Sequence, residues 1–232
     1  MAHCRQNQRG TLVLPLFAQS EIADRAGEGH RGGASVRETG KKSLLLFAGI
    51  NGAGKTSLYD TIKSRTDLGV RVSLDEIAKS MGDWKDPAVQ VRAGCEALLQ
   101  VRELIKEGKT FNQETTLPGM VMVSQLSDAK KAGYTIVLYF VGVQGVEIAI
   151  NRVKKRIERG GHGISEEVIR KRYVNMPKAL SKILPLCDRA FFYDNTERFR
   201  QIAYIENNNF ADIDPNLPDW FYYVTGRSNG KQ

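Results

Sequence analysis

The stretch SLLLFAGINGAGKTS, residues 43–57, decides the fold of this chain. Its apolar first part predicts a buried strand over residues 44–48, and a helix is predicted from Lys55 to about residue 64. Between them, residues 49–56 match the Walker A pattern G-x-x-x-x-G-K-[ST] in full. The glycines let main-chain N–H groups turn towards an anion, and the helix N-terminus adds a partial positive charge. The stretch therefore predicts a phosphate-binding loop.

This loop supplies the candidate nucleotide contacts. At the start of the helix, the Lys55 ammonium can reach β- and γ-phosphates, and the Thr56 hydroxyl can ligate Mg²⁺. The base-reading N-K-x-D motif of GTPases is absent. We therefore expect ATP and Mg²⁺ as cofactors, with Thr56 on the metal. The predicted ATP contacts are Gly49, Asn51, Gly52, Ala53, Gly54, Lys55, Thr56 and Ser57.

Outward from the loop, strand and helix patterns alternate along the chain. Strands are predicted at residues 44–48, 70–74, 110–116, 134–143 and 190–193, and helices at residues 55–64, 86–107, 119–132, 146–159 and 166–184. Such alternation is typical of parallel pairing with right-handed crossovers. It predicts a three-layer α/β P-loop fold with a five-stranded, mostly parallel sheet. The end of the chain is less regular, with a turn at residues 207–209 between short strands and a closing helix at residues 219–224.

Composition and charge limit the class of protein. The chain has 232 residues, which suits one domain over residues 43–232, preceded by a polar segment, residues 1–42, that we expect to be a disordered tail. The longest apolar run, residues 134–143, is too short to span a bilayer. The net charge of +8 fits a phosphate-rich ligand, although a merely basic surface explains it equally well. Three scattered cysteines favour a reducing, cytoplasmic location.

One carboxylate is predicted to lie beside the phosphate loop. Asp75 ends the predicted second strand, and carboxyl ends of parallel strands are where ligands bind. There it can accept the proton of a hydroxyl that attacks the γ-phosphate. The alternative is that Asp75 caps a helix over residues 76–81, which is compatible with catalysis. The predicted fourth strand ends without the carboxylate that motor and AAA-type ATPases place there.

The third strand ends in polar residues that suit an acceptor. Glu114 and Thr116 combine a carboxylate with a hydroxyl, which can bind sugar hydroxyls or an amide. The alternative is an ordinary polar loop.

Two arginine-bearing helices flank a flexible segment at residues 160–163. Like charges four residues apart, as at Arg152 and Arg156, are unfavourable unless an anion compensates them. This pattern predicts a mobile lid that closes over phosphates, stabilises transition-state charge and excludes water. The alternative is a solvated basic face. The candidate lid residues are Arg152, Arg156, His162, Arg170 and Arg172, with Arg152 and Arg170 taken as catalytic.

Together these motifs resemble the zeta toxin family, in particular its short zeta-toxin-like kinase branch. The resemblance covers about residues 43–225. It rests on the phosphate loop, LDEIA at residues 74–78, FNQETTL at residues 111–117, RVKKR at residues 152–156, GGH at residues 160–162 and IRKRY at residues 169–173.

The resemblance implies a function and a set of roles. Family members phosphorylate a hydroxyl of UDP-N-acetylglucosamine with ATP and Mg²⁺. It implies that Lys55 binds phosphate, Asp75 is the general base, and Glu114 and Thr116 bind the acceptor. The second lid arginine of the toxins falls near His162, so Arg170 or Arg172 takes that role. It also implies an antitoxin partner.

Two other functions remain open from the sequence. A kinase acting on nucleic-acid ends suits the basic charge, but the chain lacks a basic stripe interleaved with aromatic residues. A non-catalytic ATP-binding module of a toxin–antitoxin-like system binds nucleotide and transfers nothing.

Overall fold

The computed structural model describes residues 42–83, 86–117, 119–161, 163–206 and 209–228. The elements in chain order are β1 (Ser43–Ala48), α1 (Lys55–Lys63), β2 (Val70–Val72), α2 (Leu74–Met81), α3 (Pro87–Glu107), β3 (Phe111–Thr115), α4 (Gly119–Lys131), β4 (Thr135–Gly142), α5 (Val146–Glu158), α6 (Glu166–Ile183), β5 (Arg189–Asp194), β6 (Arg200–Glu206), β7 (Asn209–Asp212) and α7 (Asp219–Thr225). A short 3₁₀ turn, Leu184–Leu186, follows α6.

The strands form one mixed sheet in the order β2-β3-β1-β4-β5-β6-β7. The first five in this order are parallel, which confirms the α/β prediction. The predicted number of five strands is wrong, because β6 and β7 extend the sheet as an antiparallel pair beside β5. The turn between them was predicted, but their pairing with β5 depends on contacts that local sequence does not encode.

The strand that leads into the phosphate loop lies at the centre of the sheet. β1 pairs with β3 on one side and β4 on the other, so that Ala48 is in register with both Thr115 and Phe140. Leu44, Leu46 and Phe47 are fully buried. The loop therefore starts from a strand that neighbours hold on both sides, which fixes its position.

Helix α2 contributes to a second, smaller cluster beside the main core, and its Ile77 contacts both. Ala78 of α2 contacts Val89 and Ala93 of α3, and Ile77 covers them. The three small residues form their own buried cluster, the α2–α3 cluster.

The start of α2 corrects one prediction. Asp75 was predicted to end a strand, yet β2 ends at Val72 and the Ser73 hydroxyl accepts from the Glu76 N–H as the N-cap of α2. Asp75 therefore lies in the first turn of a helix, where the helix dipole stabilises a carboxylate. It remains at the carboxyl edge of the sheet.

The closing helix α7 packs over the end of β4. Trp220 is buried against Phe140, and its indole N–H donates to the buried Asp194 carboxylate at 2.9 Å. A Cβ added to Gly142 would lie 2.4 Å from the Trp220 ring, so this position accepts only glycine.

Some predictions fall outside the described residues. These are His162, residues 207 and 208 of the predicted turn, and nearly all of the expected tail, residues 1–41. Lys42 is described: its carbonyl accepts from Thr135 N–H at 3.0 Å, which joins it to the start of β4. Among the described helices, none combines the length and the apolar character that crossing a membrane requires.

Candidate active site

The phosphate loop is held in shape by close contacts with its surroundings. Gly54 has φ 107°, and a Cβ there would lie 2.4 Å from the Asn195 side-chain nitrogen. That nitrogen donates to the Ala53 carbonyl at 2.8 Å. A Cβ at Gly52 would lie 2.3 Å from the Ala149 carbonyl oxygen. Any larger residue at these two positions would push the loop away from α5 or from Asn195, which follows β5.

Lys55 is a buried ammonium at the start of α1. Its side chain is 6% exposed, and its Nζ donates to the Ile50 carbonyl at 3.1 Å. Burial lowers the pKa of Lys55, while the carboxylates of Glu114 and Asp75 act in the opposite direction. A buried cation with only partial compensation is suited to binding an anion such as a phosphate.

Glu114 lies on the phosphate-loop side of β3. The Thr56 hydroxyl donates to its carboxylate at 3.1 and 3.3 Å, and Lys55 Nζ lies 3.7 Å from its Oε1. A terminal nitrogen of Arg71, on β2, contacts its Oε2 at 3.3 Å. The predicted acceptor residue therefore touches the predicted phosphate and metal residues directly. Thr116 follows β3 at the same edge and is half-buried.

Asp75 and Arg172 lie near Lys55, although they come from α2 and α6. The Asp75 charge acts on both Lys55 and Arg172, and the Arg172 charge acts on Lys55. Arg172 donates to the Asn51 side-chain oxygen in the phosphate loop. Burial lowers the pKa of Arg172, and Asp75 opposes this shift. One carboxylate and two cations thus share the loop region.

The lid arginines divide into two groups. Arg152, Arg156 and Arg172 are half-buried, and the Arg156 charge also acts on Lys55. Arg152 donates to the Thr196 carbonyl at 3.1 Å. Arg170, in contrast, is exposed and pairs with Glu147 and Glu166. Of the two alternatives on α6, the structure brings Arg172 to the phosphate loop and directs Arg170 elsewhere.

Three buried guanidinium nitrogens on α5 are suited to binding an anion. Arg156 Nε, one terminal nitrogen of Arg156 and one of Arg152 have no hydrogen-bond partner among the described residues. Unpaired donors on buried cations are costly, and phosphate oxygens are the partners that guanidinium groups bind best. They are thus candidates for binding phosphate oxygens, and the action of the Arg156 charge on Lys55 places Arg156 within electrostatic reach of the phosphate loop.

The donor set beside Thr56 fits Mg²⁺. This ion prefers oxygen ligands and usually takes one or two from the protein, with waters and phosphates for the rest. The Thr56 hydroxyl and the Glu114 carboxylate provide oxygens of this kind at one point of the loop.

Sequence reasoning missed Arg71 and Asn195. Arg71 is 43 residues from Glu114 in sequence, and Asn195 is 142 residues from Ala53. Neither belongs to a spaced motif, so no local signal marked them. A weak hint for Asn195 was its place two residues after the fifth predicted strand, because such ends line the ligand edge.

Solved structures share this fold. The AvrRxo1-ORF1:-ORF2 complex with ATP matches with a TM-score of 0.58 and 12% identity, over 90% of this chain and 68% of the matched chain. The PezAT chromosomal toxin–antitoxin system of Streptococcus pneumoniae matches with a TM-score of 0.52 and 19% identity, over 68% of this chain and 69% of the matched chain.

Sequence comparison gives the family. An uncharacterized protein of Haemophilus influenzae is 29% identical over 133 residues, which are 57% of this chain and 94% of that protein. The zeta toxin family matches residues 30–209. This match includes the phosphate loop, Asp75, Glu114 and the lid arginines, and the resemblance inferred from the motifs is confirmed. The chain belongs to the zeta toxin family and has the fold of P-loop kinases.

Proposed function

We propose that this protein is a kinase that transfers the γ-phosphoryl group of ATP to a hydroxyl of a small metabolite, with a nucleotide sugar such as UDP-N-acetylglucosamine as the acceptor. The observation that carries the proposal is the meeting of two cations at the phosphate loop, the buried Lys55 within it and Arg172 bonded to Asn51, with the Asp75 charge acting on both. A carboxylate next to a phosphate site, with cations around it, has the parts that phosphoryl transfer to an alcohol requires.

In the proposed reaction Asp75 takes up a proton, and three cations stabilise charge. Asp75 accepts the acceptor hydroxyl proton while that oxygen forms a bond to the γ-phosphorus. The bond between the γ-phosphorus and the bridging oxygen breaks, and ADP leaves with the electron pair. Lys55, Arg156 and Arg172 stabilise the negative charge on the transferred group.

Magnesium has a place beside this centre. Thr56 would hold it, with Glu114 adjacent. A Mg²⁺ ion held there would neutralise part of the negative charge of the phosphates.

The acceptor and a protein partner belong to the same proposal. Glu114 and Thr116 end β3 on the edge that Asp75 shares, and we assign acceptor binding to them. Two findings support an antitoxin as partner. The family is named for a toxin, and the structural matches include the PezAT toxin–antitoxin system and the AvrRxo1-ORF1:-ORF2 complex.

The test is a transfer assay with a matched variant. The full chain is incubated with ATP, Mg²⁺ and candidate acceptors, including UDP-N-acetylglucosamine and oligonucleotides, and mass spectrometry detects an added phosphate. Asp75→Asn should bind ATP nearly normally and lower turnover by roughly 10²–10⁴, because it removes the base alone. Phosphate gain only on oligonucleotides would contradict the acceptor assignment. Unchanged turnover in Asp75→Asn would contradict its role.

A further inference from the structure

Arg71 is a half-buried arginine with two carboxylate partners. Its Nε donates to Glu76 at 3.0 Å, and one terminal nitrogen contacts Glu114 at 3.3 Å. Its guanidinium carbon lies 3.8 Å from the centre of the Tyr59 ring, which is on α1. The Arg71 side chain is thus fixed by contacts to three elements, and one of its ends faces the phosphate site.

These contacts leave part of the Arg71 guanidinium unpaired. The other terminal nitrogen of Arg71 is buried and has no hydrogen-bond partner among the described residues. The Glu76 side chain is 64% exposed, so its ion pair with Arg71 is screened by solvent. A buried donor without a partner is unfavourable, and such groups in native proteins usually have a functional reason.

The contact with Glu114 suggests that reason. Glu114 lies between two cations: its Oε2 contacts Arg71, and its Oε1 is 3.7 Å from Lys55 Nζ. The latter distance is longer than a hydrogen bond, so the carboxylate is not fully paired with the lysine. Without Arg71, only the neutral Thr56 hydroxyl would hold the carboxylate, and the attraction of the Lys55 ammonium would draw Glu114 into a direct pair that competes with an incoming phosphate.

We propose that Arg71 is a positioning residue that holds the Glu114 carboxylate back from Lys55 and so keeps the ammonium available for the nucleotide phosphates. This inference rests on the proposed function, because it takes Lys55 as a phosphate ligand. It assigns Arg71 a role that acts through Glu114 and Lys55.

The experiment is a double-mutant comparison of ATP binding. Calorimetry measures the dissociation constant of ATP, in EDTA to exclude divalent metals, for the unaltered protein, Arg71→Met, Glu114→Gln and Arg71→Met/Glu114→Gln. Arg71→Met should weaken ATP binding about tenfold, as expected for a coupled charged contact. In the Glu114→Gln background the same change should alter affinity less than about threefold, because the competing carboxylate is gone.

Matched variants separate this role from loss of charge or of folding. Arg65→Met removes an exposed arginine and should leave the affinity unchanged. Arg71→Lys keeps the charge and most of the stem but lacks the second contact. It should show a smaller loss of ATP affinity, and adding Glu114→Gln should remove that loss as well. Arg71→Lys replaces Arg71→Met in the comparison if circular dichroism shows that Arg71→Met does not fold.

Each outcome has a distinct meaning. Normal ATP binding by both Arg71 variants would overturn the inference, as would a loss that persists unchanged in the Glu114→Gln background. No binding of ATP by the unaltered protein, either in EDTA or with Mg²⁺, would overturn the proposed function itself and the role of Arg71 with it. ATP binding without phosphoryl transfer to any acceptor would contradict the kinase proposal and leave the role of Arg71 standing.

Discussion

Two arginines that are two positions apart on α6 differ in what they contact. Arg172 reaches Asn51 in the phosphate loop, whereas Arg170 pairs with Glu147 and Glu166 on the surface. The two side chains point to different faces because successive helical residues are about 100° apart around the axis. Of the two, Arg172 is therefore the one placed to act at the phosphate loop.

This difference predicts unequal effects of removing each arginine. Arg172→Ala should lower kcat by roughly 10²–10³, since it removes one donor to the transition-state charge. Arg170→Ala should change kcat by less than a few-fold, because its partners are exposed carboxylates. Steady-state kinetics with ATP and the identified acceptor measure both. Equal losses in the two variants would contradict the assignment of Arg172.

The residues that could be predicted are those in short motifs. The phosphate loop and Glu114 follow from spacing, because a glycine pattern or a strand end is visible within a few residues. Asn195 and Arg71 could not be predicted, because their partners come from distant strands. The choice between Arg170 and Arg172 also required the structure, since it depends on how α6 is rotated against the loop.

Helix α3 contains a glycine with no structural need for it. Gly94 lies inside the helix, and an added Cβ would meet no heavy atom within 4 Å. Gly94→Ala should therefore raise the free energy of unfolding by about 0.5–1 kcal/mol, because alanine loses less backbone entropy in a helix. Urea denaturation followed by circular dichroism measures this change.

Gly133 provides the matched control. An added Cβ there also meets nothing within 4 Å, but its φ is 78°. Gly133→Ala should lower the free energy of unfolding, because alanine is strained in the left-handed region. If Gly94→Ala also lowers the free energy of unfolding, the space around Gly94 would be smaller than the structure shows, and the prediction would be wrong.

Element boundaries were predictable where end signals were strong. Asp86 caps α3, Pro87 opens it, and Gly108 ends it with φ 69°, as their residue types indicate. The boundary between β2 and α2 was not predictable in the same way. The run VRVSLD reads as a continuous strand, and only the hydrogen bond from Glu76 N–H to Ser73 shows that the helix begins before Asp75.

On the scale of the whole molecule, α7 connects the end of the chain to the edge that carries the site. Trp220 packs against Phe140 and donates to Asp194, after which the chain turns at Asn195 beside the phosphate loop. The C-terminal helix therefore supports the strand that precedes a loop contact, although it is far from that contact in sequence.

This support predicts a graded loss of stability. Trp220→Phe keeps an aromatic ring but leaves the buried Asp194 without one donor, and should cost about 1–3 kcal/mol. Trp220→Ala also opens a cavity and should cost about 3–5 kcal/mol. Tyr223→Phe, at an exposed position of the same helix, should change stability by less than about 0.5 kcal/mol. Urea unfolding measures all three, and equal stability of Trp220→Phe and the unaltered protein would contradict the importance of the Asp194 contact.

The architecture was predictable in part. Alternating strands and helices indicate the parallel five-stranded portion, because crossover helices cover its faces. No helix pattern separates β5, β6 and β7 in the sequence, so the alternation of strands and helices stops there. Nothing within residues 200–212 shows that β6 and β7 join the same sheet. The sheet is therefore larger than the alternation predicts.

The phosphate loop and Asp75 are held by different parts of the structure, so they differ in how many substitutions they can tolerate nearby. Lys55 and its loop start from a strand in the middle of the sheet, whereas Asp75 belongs to a helix that three small apolar residues hold against α3. Substitutions in the α2–α3 cluster lie away from β1, so they can reshape the space next to Asp75 while the strand that carries the phosphate loop keeps its neighbours. A lineage with this fold can thus conserve its phosphate donor while it exchanges one acceptor for another.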